Sequence, residues 1–282
     1  GYLLGRRFLN GHYASKRDSK PADKRCGVLD WVKVDDLRKH EWTMYPWVKS
    51  SQATAVSVDF ARLVGYYVAE GCLPSKRGRA VRLTFSTGEW GTLGADVMGI
   101  CSRLGYSAKR KRSSHGNWFD VTILSKSLKN WVSDHVGEYS HLKILPSEVA
   151  DWTDDARQSV AVGMMLGDGW QDPRGRISYG SVNLNLVSQL QFILSSLGVR
   201  SNISTHAAHT DDPTRRRMYQ TRIVTSHCAT VAGWLAPFTW GVATEKREVR
   251  GRGASHALGQ LKPLRKPDYV DTRESVYDIT VD

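Results

Sequence analysis

Between residues 57 and 71 the apolar positions recur with a helical period. Phe60, Val64 and Val68 fall four apart on one stripe, and the run stops at Gly71. The spacing predicts a helix from Val58 to Gly71 with Glu70 just before its terminal glycine. Gly65, midway, leaves room for another backbone to approach. A second run of this kind extends from about Asp154 to Gly169, with Gly163 in its middle and Asp168 before its last glycine. Strand-like alternation follows each, over Arg79–Ser86 and Arg176–Ser181. Each half then carries a helix closing on a Leu-Gly pair (Leu104-Gly105, Leu197-Gly198). Two more strands follow, Tyr106–Ser113 with Trp118–Leu124 and Val199–His206 with Met218–Thr225. A last helix closes each half, Ser127–Val136 and His227–Leu235. Both halves read αββαββα, one unit written twice. Leu145, Pro146 and Trp152 mark the linker between them. Gly27–Lys33 reads as a short strand and Lys16–Lys24 as a polar loop.

The expected fold class is therefore α+β: duplicated αββαββα units with pseudo-twofold symmetry, plus small β-rich flanking segments. The expected boundaries are residues 1–54 for an N-terminal flank, 55–144 and 145–240 for the repeats, and 241–282 for a C-terminal flank.

Composition adds a partner class. The 282 residues are 40% hydrophobic, with ten Trp and eleven Tyr, enough for a real core. Forty Lys and Arg stand against 28 Asp and Glu, a net charge of +12. Such a surplus favours a polyanion, nucleic acid first. No apolar run approaches the roughly 18 residues of a membrane span. The stretch from Gly1 to Arg7 lacks the apolar core of a signal peptide. The four cysteines lack metal-site spacing and read as reduced thiols. A cytoplasmic monomer in contact with host DNA is expected.

The chemistry lies in the two helix-end acids. A helix ends in unpaired carbonyls and partial negative charge, so a carboxylate there is disfavoured unless a cation offsets it. Either Glu70 or Asp168 alone would pass for an ordinary turn residue. As equivalent positions of one repeat they would meet if the glycine-bearing helices pack side by side. Two adjacent carboxylates repel, and a divalent cation removes the repulsion. Oxygen-only ligation suits Mg2+, which can activate water and stabilise a leaving 3′ oxygen in phosphodiester cleavage.

These residues carry a family resemblance. Leu63-Val64-Gly65-Tyr66-Tyr67-Val68-Ala69-Glu70-Gly71 resembles the nine-residue motif of LAGLIDADG homing endonucleases, and Ala161-Val162-Gly163-Met164-Met165-Leu166-Gly167-Asp168-Gly169 is a looser copy. The resemblance covers roughly residues 55 to 240. It implies that the motif helices form the interface between halves and that two four-stranded sheets form a saddle over DNA. The implied activity is metal-dependent cleavage of both strands of a long, asymmetric target. Metal would sit at Glu70, Asp168 and Gly169, with Mn2+ expected to substitute for Mg2+ and Ca2+ expected to bind without cleavage. Glu in the first copy is a variation the family tolerates. A lysine often stands where the last strand of a half meets its closing helix, a place Lys126 matches. The second half has Ser226 or His227 there, so unequal active sites are expected. Glu89 and Asn183 match positions that often order active-site water.

Basic residues recur on the strands of both repeats. The DNA-facing set expected from them is Lys76, Arg77, Arg79, Arg82, Thr84, Lys109 and Lys111 in the first half. In the second it is Arg174, Arg176, Ser178, Arg200, Asn202, Arg215, Gln220 and Arg222. Arg reads guanine, Asn or Gln reads adenine, and any cation serves phosphate.

Arg273–Asp282 alternates like a strand and resembles the strand before the C-terminal splice junction of inteins; Trp31–Leu37 resembles the end of an intein N-terminal splicing region. A Hint-like β fold from both chain ends is one reading of the flanks. Extra strands gripping DNA, with Lys262, Arg265 and Lys266, is another. Residue 1 is not Cys, Ser or Thr, and no His-Asn pair ends the chain, so self-splicing is not expected. A non-cleaving nucleic-acid binder of the same fold, a maturase or regulator, is the competing function.

Overall fold

The computed structural model describes residues 2–7, 28–33, 42–46, 53–74, 78–114, 116–206, 217–238, 255–256 and 259–263. The chain divides into two compact units, one of residues 1–47 with 251–282, the other of residues 48–250.

In the first unit, strands β1 (Tyr2–Arg7), β2 (Val28–Lys33) and β3 (Trp42–Pro46) come from one end of the chain. The second unit holds the duplicated pattern. Its first half is α1 (Val58–Glu70), β4 (Gly71–Cys72), β5 (Ala80–Ser86), α2 (Ala95–Arg103), β6 (Ser107–Arg112), β7 (Trp118–Leu124) and α3 (Lys126–His135). Its second half is α4 (Asp154–Asp168), β8 (Gly169–Gln171), β9 (Ile177–Ser181), α5 (Leu184–Ser196), β10 (Ser201–His206), β11 (Met218–Ile223) and α6 (Thr225–Leu235). Strands β12 (Ser255–His256) and β13 (Gly259–Pro263) return to the first unit, giving an antiparallel sheet of order β12-β13-β3-β1-β2. That sheet draws on both chain ends. Arg273–Asp282, Arg265 and Lys266 lie outside the described residues.

The architecture of the second unit is mixed α and β, with two antiparallel four-stranded sheets and six α-helices among its described residues. The sheet orders are β4-β5-β7-β6 and β10-β11-β9-β8. Pairing is equivalent in the two: Gly71 faces Leu83 and Gly169 faces Tyr179, so each motif helix runs straight into the edge strand of its own sheet. Alternation sets the faces. Val81, Leu83 and Phe85 with Phe119, Val121 and Ile123 turn inward onto the helices. Opposite parity brings Arg82, Thr84, Asp120, Thr122, Lys109 and Lys111 to the other face.

The core is centred on α1 against α4, the most extensive helix pairing among the described residues. Gly65 and Gly163 make it possible. A Cβ on Gly65 would lie 2.9 Å from Gly163 Cα and from Met164 N, and a Cβ on Gly163 would lie 2.9 Å from Tyr66 N. Backbones this close exclude any side chain at the crossing. Both helices start on a hydroxyl cap, Ser57 accepting from Phe60 N and Thr153 from Ala156 N. Ser159 Oγ donates to the Val58 carbonyl at 2.8 Å, and Thr54 bridges in parallel to Trp152. The two helices thus begin together and, running the same way, end together. One departure from regularity precedes α2, where Trp90–Gly94 forms a π-turn.

Candidate active site

The paired helix ends bring Glu70 and Asp168 to one place. Each is the last residue of its helix. A Cβ on Gly167 would come 3.2 Å from Glu70 Oε1, so the Glu70 carboxyl lies against the last turn of α4. Burial pushes Glu70 up to about 7, with the negative charges of Asp168 and then Glu89 adding to the rise. Asp168 is raised to about 6, again chiefly by burial. Two half-dry carboxyls on the negative ends of two helices are electrostatically unfavourable as they stand.

One cation opposes them, and it comes from the linker. Lys143 is buried, 2% exposed, and its Nζ donates to the carbonyls of Tyr67 (2.9 Å), Val68 (3.0 Å) and Gly71 (2.6 Å). These carbonyls lie at the end of α1 and its cap, where the Tyr67 carbonyl also accepts the Gly71 N–H. The ammonium also stands 5.0 Å from the centre of the Tyr67 ring. Burial pulls Lys143 down to about 8, while the charges of Asp168, Cys72 and Glu70 act the other way. It remains a cation at neutral pH. Its backbone is held by the second half: Asn183 Nδ2 donates to the Lys143 carbonyl at 2.7 Å, and Gln189 bonds both the N–H and the carbonyl of Leu145. Lys143 therefore ties the halves together beside the acid pair.

The donors suit a hard divalent cation. No cluster of three or more His, Cys, Asp or Glu capable of holding a metal exists among the described residues. What the site offers is two carboxylates with backbone oxygens nearby. Mg2+ is commonly held in this way, by one or two carboxylates with phosphate and water completing the shell.

The outer sheet faces flank this point. On the first sheet Arg82 and Thr122 share a row with Lys109, and Thr84 and Asp120 share one with Lys111. Asp120 accepts from Thr84 Oγ1 at 2.8 Å and pairs with Arg82 at 3.8 Å, fixing both. Lys109 and Lys111 are exposed. On the second sheet, Trp170, Ser178, Arg222 and Asn202 form the row equivalent to that of Arg82, with Gly180 and Gln220 beside it.

Residues 162–230 match the family model described as "LAGLIDADG-like domain". The chain is 26% identical over 161 residues to "Uncharacterized protein MJ1054" of Methanocaldococcus jannaschii, covering 52% of this chain and 18% of that protein. It is 27% identical over 168 residues to "ATP-dependent DNA helicase Hel308" of Thermococcus kodakarensis, covering 57% of this chain and 15% of the helicase. The chain thus spans less than a fifth of either relative. Among solved structures it is similar to the homing endonuclease I-DmoI in complex with DNA and Mn, at 15% identity and a TM-score of 0.46, covering 63% of this chain and 96% of that one. It is also similar to full-length DUF199/WhiA from Thermatoga maritima, at 12% identity and a TM-score of 0.43, covering 66% and 56%.

Several expected site residues occupy other roles. Lys126 is exposed in the first turn of α3, and the charges acting on Glu70 are those of Asp168, Glu89 and Lys143. The cation whose charge acts on both acids is Lys143. A lone lysine inside Leu142-Lys143-Ile144-Leu145-Pro146 was the available signal, since an apolar run seldom carries a cation without a partner. Asn183 caps α5, its Oδ1 accepting from Asn185 N and Leu186 N, so its side chain is spent on helix and linker. Glu89 accepts from Ser86 N at 2.8 Å while facing Glu70 electrostatically. Gly169 follows Asp168 directly, its N–H bonded to the Met165 carbonyl.

Among the expected DNA contacts, Ser178 and Gln220 are only 2% exposed. On the same face Trp170 and Met218 lie over Gly180: a Cβ there would be 3.1 Å from the Trp170 ring and 3.5 Å from Met218 Sδ. Arg176 is tied to Asp172 at 2.5 Å, and Asp172 also accepts from the Arg174 and Arg176 N–H groups. Arg79, Arg174 and Asn202 are exposed, while Arg200 and Arg222 are partly so. Lys76, Arg77 and Arg215 lie outside the described residues. No helix of the described residues is long and apolar enough to cross a membrane.

Proposed function

We propose that the chain is a site-specific, divalent-metal-dependent endonuclease acting on double-stranded DNA. The observation that carries this reading is the convergence of Glu70 and Asp168, buried at the ends of two helices that touch through Gly65 and Gly163. Two raised carboxyl groups at one point are a cost to the fold unless a cation uses them. Exposed Lys109 and Lys111 on the outer face of the first sheet, Arg222 on that of the second and a net charge of +12 support DNA as the polyanion.

A hard divalent cation supplies Lewis-acid activation of water and charge neutralisation at a scissile phosphate. Glu70 and Asp168 would hold it, with Mg2+ the ordinary ion and Mn2+ able to replace it. Lys143 adds fixed positive charge to the same region, where the phosphate transition state gains negative charge. Lys109, Lys111 and Arg222 hold phosphates and set the register of the duplex. The working form is a monomer on a long asymmetric site, since both halves are in one chain. The first unit is a Hint-like module or a DNA-gripping extension, and every residue assigned to cleavage belongs to the second unit.

The test is incubation of the purified chain with Mg2+ and a library of random duplexes, followed by sequencing of cleaved ends. Cleavage at a defined site is expected, and Asp168→Asn should abolish it while DNA binding persists. Cleavage by Asp168→Asn at the wild-type rate would remove the metal role. Tight, selective binding in Ca2+ with no cleavage in any metal would establish the non-cleaving binder instead.

A further inference from the structure

Behind Asp168 the core contains a hydroxyl without a partner. Tyr179, in the middle of β9, is fully buried, and its phenol oxygen makes no hydrogen bond. Its Cα is paired with that of Gly169, the residue next to Asp168. It lies on the inward face, as does Thr221 beside it, whose hydroxyl bonds the Val187 carbonyl of α5. Buried hydroxyls nearly always find an acceptor, so an orphan this deep calls for one.

The surroundings say which acceptor. Burial raises the tyrosine's pKa first, and the negative charges of Asp168 and then Glu70 raise it further, so both carboxyls lie within electrostatic reach. In the first half the same position, opposite Gly71, is Leu83, which has nothing to donate. There Lys143 attends the helix end instead. Lys143 bonds the end of α1 and its charge acts on both acids, whereas Tyr179 stands only on the α4 side.

We propose that Tyr179 is a positioning residue of the carboxylate site: its hydroxyl, directly or through one trapped water, donates to the Asp168 carboxylate and orients it for a divalent cation. This rests on the reading of Glu70 and Asp168 as a cation site. A carboxylate that gives one oxygen to a cation keeps lone pairs on the other, and an outer donor fixes its rotation.

The experiment is a Mn2+ titration of the full chain without DNA, followed by electron paramagnetic resonance, with thermal melting of the metal-free protein in parallel. Tyr179→Phe removes the hydroxyl alone, and Tyr179→Leu copies the first-half residue. Both should bind Mn2+ about tenfold more weakly, with an altered bound-ion spectrum. The metal-free melting temperature of Tyr179→Phe should be unchanged or raised, because the hydroxyl is unpaired in the metal-free chain and donates to Asp168 only when a cation is bound. Wild-type Mn2+ affinity and spectrum in Tyr179→Phe would overturn the proposal, and so would a lowered metal-free melting temperature with wild-type affinity, the mark of a packing role. Asp168→Asn distinguishes the underlying reading: it should lose Mn2+ binding, and if it binds as wild type the cation site itself is refuted whatever Tyr179 does.

Discussion

Lys143 shows how far one side chain can be set by parts of the chain remote from it. Its three acceptors are the Tyr67, Val68 and Gly71 carbonyls, and its own carbonyl is held by Asn183. Removing the charge leaves those carbonyls and two raised carboxyls unopposed. Lys143→Met is expected to lower stability by about 3 kcal/mol, whereas Lys126→Met, at an exposed position, should change it by less than about 0.5 kcal/mol. Urea midpoints of the two variants measure this. The acids predict a pH dependence of defined sign. Glu70 ionises near 7 in the folded chain against 4.5 for an ordinary glutamate, so between those limits the folded state holds the extra proton. Metal-free stability should therefore fall as pH rises from about 5 to 7. Glu70→Gln, which carries no charge, should exceed wild type at pH 8 by on the order of 2 kcal/mol. Unfolding curves at pH 5, 7 and 8 in chelator decide it, and a rise in wild-type stability over that interval would contradict the assigned burial.

At the scale of elements, the helix pair is a backbone contact, and its glycines cannot be exchanged for anything larger without separating the helices. Gly163→Val should cost about 3 kcal/mol or more, since its Cβ would meet Tyr66 N at 2.9 Å and no flexible side-chain tip is there to yield. Equilibrium unfolding should show the loss, and Gly233→Ala on an open surface of α6 provides the control. These elements were also the most legible in the sequence. Phe60, Val64 and Val68 announce α1 by period, and the glycine-acid pairing marks α4 as its copy. Strand parity placed Lys109 and Lys111 on the outer face without further help. What the sequence hid depends on contacts between elements. Trp170 reads as one strand residue, yet its ring lies over Gly180 on a face where Ser178 and Gln220 are buried. Lys143 lies in a linker with no periodicity, and its partners are backbone carbonyls, which leave no residue signature. Tyr179 reads as an inward strand residue, and only the pairing of β8 with β9 puts it behind Asp168.

At the scale of the molecule, a surplus of twelve positive charges makes the proposed association with DNA strongly salt-dependent. Lys111→Ala should weaken binding to all duplexes alike and reduce the slope of log affinity against log salt by about 1. Fluorescence anisotropy at several salt concentrations reads this, and a loss confined to one duplex sequence would place Lys111 on a base rather than a phosphate.

The linker that carries Lys143 has an evolutionary corollary. A repeat protein can in principle be cut at its middle and rebuilt as a dimer of either half. Here neither half would suffice. Two copies of the first would have Leu83 where the second has Tyr179, and two copies of the second would have the phenol at both helix ends. The two copies are therefore no longer interchangeable: opposite the glycine that ends each motif helix, one sheet presents an apolar side chain and the other a phenol.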